Sequence, residues 1–140
     1  MEYVCDAQDG KTWFRIETEA EAAIESQLMQ HAVEKYFRRE HDKATQSYRP
    51  DQPGSIERDI GLKAHIARSM PIFLTLRSSE GTPLATAMLP PGGQEDPNFR
   101  IIIVGPANAD PYGPESAAIE TLGAHYGLTL DRTRCYPYNR

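Results

Sequence analysis

The chain has 140 residues, a net charge of −5, and 25% charged against 39% hydrophobic residues. That is the size and average composition of one globular domain spanning 1–140, which excludes wholesale disorder. The mild acidity also argues against nucleic-acid binding, which needs a basic face to displace counterions.

In chain order, the opening YVCDAQDGKTWFRIE predicts a β-hairpin. Tyr3 to Asp6 and Thr12 to Ile16 are rich in aromatic and β-branched residues, and Asp9-Gly10 between them is a turn signal. Thr18-Glu19-Ala20-Glu21 has the form of a capping box. It opens an amphipathic stretch in which Ile24, Leu28, His31, Ala32 and Tyr36 recur at helical steps, with Val33 and Phe37 widening the stripe. One long helix is expected from Glu19 to Ala44. A polar connector, SYRPDQPGS, makes 46–55 a flexible segment. A second helix is expected from Ile56 to Met70, weakened by Gly61 and stopped by Pro71.

Ile72 to Arg77 and Leu84 to Leu89 alternate as strands and form a second hairpin. The segment 90–98, rich in proline and glycine, is expected to loop out before a third strand, Phe99 to Val104. That strand is apolar on both faces and is expected to lie centrally. A last helix runs from Ser116 to Tyr126, stopped by Gly127, and Leu128 to Leu130 reads as a closing strand reaching toward Tyr136. The order β-β-α-α-β-β-β-α-β fits an α+β fold: an antiparallel or mixed sheet of five to six strands, with two or three helices packed on one face.

Sites are harder to read. His31, His41, His65 and His125 form no i, i+4 pair, and neither Cys5 nor Cys135 belongs to a CxxC, so neither metal nor cofactor is expected. His31 falls on the apolar stripe as a core histidine with a backbone partner, and His41 reads as a cation near a helix C-terminus. Both thiols read as buried and inert. Glu17, Glu19, Glu21 and Glu25 crowd one helix start, where dipole compensation explains most of them. The aromatic and basic run YFRREHDK has Glu34, Glu40 and Asp42 interleaved and reads as a solvated helix end.

The loop Gly105 to Gly113 is long for a strand-to-helix connection, and such loops tend to carry sites. Asp110-Pro111-Tyr112-Gly113 matches a type I turn, and Pro114 suits the first helical position. Asn108, Asp110 and Tyr112, joined by Arg132, are the candidate ligand-binding residues.

No segment approaches the about 18 apolar residues of a membrane span. The N-terminal MEYVCDAQDGK lacks the regions of a signal peptide, and two cysteines make no disulfide framework. A cytoplasmic location is therefore expected. The leading functional expectation is a non-catalytic binding or accessory domain that associates with itself or another protein. Terminal aromatics Trp13, Phe14, Tyr136 and Tyr138 are the candidate patch. The alternatives are a small enzyme with a pocket beside the 105–113 loop, helped by Arg134 or His125, and a sensor of an anionic ligand using Arg38, Arg39 and Lys43.

Overall fold

The computed structural model describes residues 1–49 and 56–139, with backbone alone at 56–58. Of the expected connector 46–55, residues 50–55 lie outside the described residues. The elements are β1 (Glu2–Asp6), β2 (Thr12–Arg15), α1 (Glu19–Met29), α2 (Val33–Ser47), α3 (Ile56–Ser69), β3 (Ile72–Arg77), β4 (Pro83–Leu89), β5 (Ile102–Val104) and α4 (Ser116–Tyr126). The five strands form one antiparallel sheet in the order β1-β2-β3-β4-β5, each beside its sequence neighbour. The fold is α+β.

Alternation along β3 separates two apolar cores. Ile72, Leu74 and Leu76 join Trp13, Leu89, Ile101 and Ile103 on one face, where α4 packs through Ala118, Ile119 and Leu122. Phe73 and Met88 point to the other face, under Ala22 of α1, Val33, Phe37 and Ala44 of α2, and Met70. Three helices thus cover one face and the fourth covers the other. Each fully buried aliphatic or aromatic side chain contributes about 1.5–3 kcal/mol relative to exposure.

Trp13 is fully buried, and its indole N–H donates to the Ala118 carbonyl at 2.8 Å. It belongs to the core and not to a terminal surface patch. Arg100 stacks on the Tyr136 ring, and Arg132 stacks on Tyr138.

The capping box forms as expected, with the Thr18 hydroxyl accepting from the Glu21 N–H at 3.1 Å and the Glu21 carboxylate accepting from the Thr18 N–H at 3.2 Å. The expected single helix beyond it does not form. Gln30 turns into the left-handed region (φ 54°) and splits it into α1 and α2. The split lets α1 bury Ala22, Glu25 and Met29, while Ile24 and Leu28 of the expected apolar stripe stay exposed. The α2 helix keeps the predicted pattern through Val33 and Phe37.

Gly61 sits mid-helix because a Cβ there would come within 2.3 Å of the Tyr48 hydroxyl. Tyr48 and His65 pack ring to ring at 5.3 Å, and Ser47 bonds His65 at 2.7 Å, which ties α2 to α3.

The third strand of the second half is an edge strand and not a central one. Its two-sided apolarity has another cause: Ile101 and Ile103 face the α4 core, while Ile102 and Val104 line a pocket on the opposite face. Beyond α4, the expected closing strand reduces to one parallel bridge between Ile102 and Tyr136, with the Tyr136 N–H donating to the Ile101 carbonyl at 2.8 Å. Residues 90–98 leave the sheet through a 3-10 turn at Pro91–Gly93, and Arg134 ties them to the C-terminal segment by bonds to Glu95 at 2.8 Å and the Asp96 carbonyl at 2.9 Å.

Candidate functional site

The break between α1 and α2 creates a need that the site meets. An α-helix leaves its first N–H groups without intrahelical partners. Ala32 caps α2 and has no side-chain oxygen to offer. Instead the Val33 N–H donates to His31 Nδ1 at 3.4 Å, and the Glu34 N–H donates to the Ser26 hydroxyl at 2.8 Å. His31 therefore closes the start of α2 from within the turn.

Its other nitrogen reaches the sheet. His31 Nε2 lies 2.8 Å from Thr86 Oγ1 on β4. The Thr86 hydroxyl donates to Glu25 Oε2 at 2.7 Å, and Arg77 Nη2 donates to Glu25 Oε1 at 2.7 Å. Glu25 is completely buried, and Arg77 also bonds Thr75 Oγ1 at 3.0 Å. A buried carboxylate is tolerated only when paired and hydrogen-bonded, and both Glu25 oxygens meet that condition.

The partners fix the proton positions. A carboxylate can only accept, so the Thr86 proton points at Glu25 and Thr86 must accept from His31. His31 then carries its proton on Nε2 and leaves Nδ1 bare for Val33. This is the neutral imidazole. Burial pushes its pKa below the ordinary value of 6.5, outweighing the backbone bond and the Glu25 charge that favour protonation. Donors thus run from Val33 to His31 to Thr86 to Glu25, and Arg77 donates to Glu25 from the other side.

Above this chain lies a pocket of about 140 Å³, bounded by α2, β4, β5 and the 106–108 turn. His31 and Thr86 form its polar floor, with Val33, Phe73, Met88, Ile102 and Val104 as apolar walls and Tyr36 and Asn108 at the rim. Among the described residues, no Asp, Glu, Lys or Arg lines it.

The turn carrying Asn108 is strained. Ala107 (φ 55°) and Asn108 (φ 61°) are both left-handed, while Gly105 and Ala109 close the loop through an N–H to carbonyl bond of 2.7 Å. A left-handed alanine costs about 1–2 kcal/mol, and such strain gathers where a side chain must be aimed. Among the described residues, neither the Asn108 carboxamide nor the Tyr36 hydroxyl has a hydrogen-bond partner.

The four residues expected to bind a ligand do not come together. Asn108 reaches this pocket; Asp110, Tyr112 and Arg132 are used elsewhere. Asp110 is ion-paired with Arg132, which also lies 4.7 Å from the Tyr138 ring centre and 5.8 Å from that of Tyr112. The Tyr112 hydroxyl donates to the Leu130 carbonyl at 2.5 Å, and burial pushes its pKa far up. At the expected type I turn the Asp110 carboxylate accepts from the Tyr112 N–H at 2.9 Å and the Gly113 N–H donates to the Ser116 hydroxyl at 2.7 Å, and α4 begins at Ser116, two residues after Pro114.

The Arg132 bond holds the Asp110 carboxyl below its usual pKa, contrary to what a general acid there requires. Tyr112 and Arg132 do border a shallow groove of about 850 Å³ along α4, floored by Ile119, Leu128 and Leu130.

The cations expected to sense an anion are paired as well. Arg38 bonds Glu19 and Glu34, while Arg39 and Lys43 both reach Glu40. Burial raises the Cys5 and Cys135 thiols above their ordinary pKa, which suits inert side chains. Among the described residues, no three His, Cys, Asp or Glu side chains converge as metal ligands, and no helix is long and apolar enough to cross a membrane.

Glu25 and Thr86 escaped sequence reasoning. The readable signal was the i, i+3, i+7 line Ala22-Glu25-Met29, masked by the more apolar Ile24 and Leu28 beside it.

Fold and site together define an α+β domain with a largely apolar pocket, uncharged among the described residues, built over a buried ionic chain. Comparisons with protein-family models, curated proteins and solved structures found no match to this chain.

Proposed function

We propose that this chain is a non-catalytic binding domain whose small-molecule ligand occupies the pocket over His31 and Thr86. The observation that carries the reading is the contrast between floor and rim. The floor groups are bonded to each other in fixed directions, which suits recognition better than proton transfer. The strained rim turn holds an Asn108 carboxamide that has no hydrogen-bond partner among the described residues, where a ligand can supply one. Residues on the far side of the sheet, including Asp110 and Arg132, serve structure in this reading. Two free thiols fit a cytoplasmic setting.

Fragment screening with amide chemical-shift mapping tests the proposal. Shifts gathered at Thr86, Val104 and Asn108 support it; shifts gathered along Tyr112, Leu130 and Arg132 would transfer the site to the groove beside α4.

A second reading, self-association, draws on the exposed side chains of Tyr3, Ile24 and Leu28, which lie 56%, 56% and 53% accessible. Light scattering at increasing concentration decides it: a mass that stays at 15.7 kDa removes that reading.

A further inference from the structure

Resting on the pocket proposed above, we infer that its ligand is an uncharged, single-ring aromatic molecule carrying one hydrogen-bonding group, of the phenol or benzamide type. Size comes first. A cavity of about 150 Å³ accommodates benzene in other proteins, and this pocket measures about 140 Å³. One ring with one small substituent matches that volume.

Charge comes next. A charged ligand would leave water for a site with no counter-ion among the described residues of its lining, and an unpaired buried charge is strongly disfavoured. The ions nearest the floor are closed to newcomers. Both Glu25 oxygens are occupied by Arg77 and Thr86, and Arg77 is held by Glu25 and Thr75. An anion therefore finds no free guanidinium, and a cation finds no free carboxylate.

The walls and the polar atoms then select among neutral molecules. A sugar or other polyol would press its hydroxyls against Phe73, Met88 and Ile102 and leave them unsatisfied. A ring meets these apolar walls without that cost and can stack against His31 or Phe73. Thr86 Oγ donates one bond and accepts one from His31, which leaves a single lone pair for a ligand donor. Asn108 adds one donor and one acceptor group at the opening. One polar substituent is what this arrangement can satisfy.

Amide-detected NMR titration at pH 7.5 tests the class, using phenol and benzamide against benzoate and benzylammonium. The neutral pair should saturate shifts at Thr86, Val104 and Asn108, with the charged pair at least about tenfold weaker. Val104→Phe, which fills the pocket from the edge strand, should abolish those shifts. Should that variant unfold, Ala32→Phe on the exposed start of α2 closes the same space. Asn108→Gly removes the carboxamide without a φ penalty and should weaken benzamide about three- to tenfold. Benzoate or benzylammonium binding as tightly as phenol at the same residues would overturn the class and leave the pocket standing. Shifts elsewhere, or shifts that survive both filling variants, would overturn the pocket reading and this inference with it.

Discussion

Arg77→Met isolates the buried chain on which the pocket rests. Glu25 is fully buried and the Arg77 side chain is only 13% exposed, so the substitution leaves a carboxylate in the protein interior with Thr86 as its one remaining donor. Breaking a buried pair on one side costs about 3–5 kcal/mol. The slight exposure of Arg77 admits some water, so the lower end, about 3 kcal/mol, is expected. For a domain of this length that corresponds to a fall in Tm of about 10 °C.

The double variant Arg77→Met, Glu25→Met replaces both charges with flexible apolar side chains and should recover most of the loss. Urea unfolding followed by circular dichroism gives the four corners of the cycle, with a coupling of about 2–3 kcal/mol expected. An Arg77→Met cost below about 1 kcal/mol, or single costs that simply add, would refute the account of Glu25 as a charge held by its partner.

Acidification should unpick the same chain from its other end. His31 has a lowered pKa in the fold, so the unfolded chain takes up its proton first. His31 therefore contributes stability that is fully present above pH 6.5 and is lost as the pH falls from that value through the lower pKa of the folded state. Urea midpoints between pH 5 and 8 should show this slope in the wild type and a shallower one in His31→Gln; equal slopes would contradict it. Gly123→Ala should cost about 1–3 kcal/mol despite the better helix propensity of alanine, because its Cβ would lie 2.6 Å from the Leu128 carbonyl oxygen, a backbone atom. A thermal melt showing stabilisation would contradict that packing. Thr18→Ala should cost about 1 kcal/mol by opening the capping box, and an unchanged melt would count against the box.

What could be read in advance followed local chemistry. The hairpins, the Thr18 cap and the Ser116–Tyr126 helix are written in alternation, helical spacing and capping residues, and these signals act over a few positions. The failures share a different cause. His31 and Ser26 satisfy the start of α2 through contacts made only once the helix has broken, so no local residue announced the break. Glu25 is an ordinary surface glutamate by type, and its burial depends on Arg77 and Thr86, 52 and 61 positions away. The apolar run Ile101–Val104 looked central because both faces are covered, yet hydrogen-bonding position in a sheet is independent of that coverage. Of the candidate site residues, Asn108 borders the pocket, while Asp110, Tyr112 and Arg132 cluster beyond it through contacts 18 and 22 positions apart. Their partners turned out to be one another, Tyr138 and the Leu130 carbonyl.

In the proposed complex a small neutral ring enters between α2, β4 and β5. Intermolecular NOEs between phenol ring protons and the protein's methyl groups measure this directly. Contacts to Val33, Met88, Ile102 and Val104 are expected; contacts confined to Ile119, Leu128 and Leu130 would instead put the ring in the groove beside α4 and overturn the pocket.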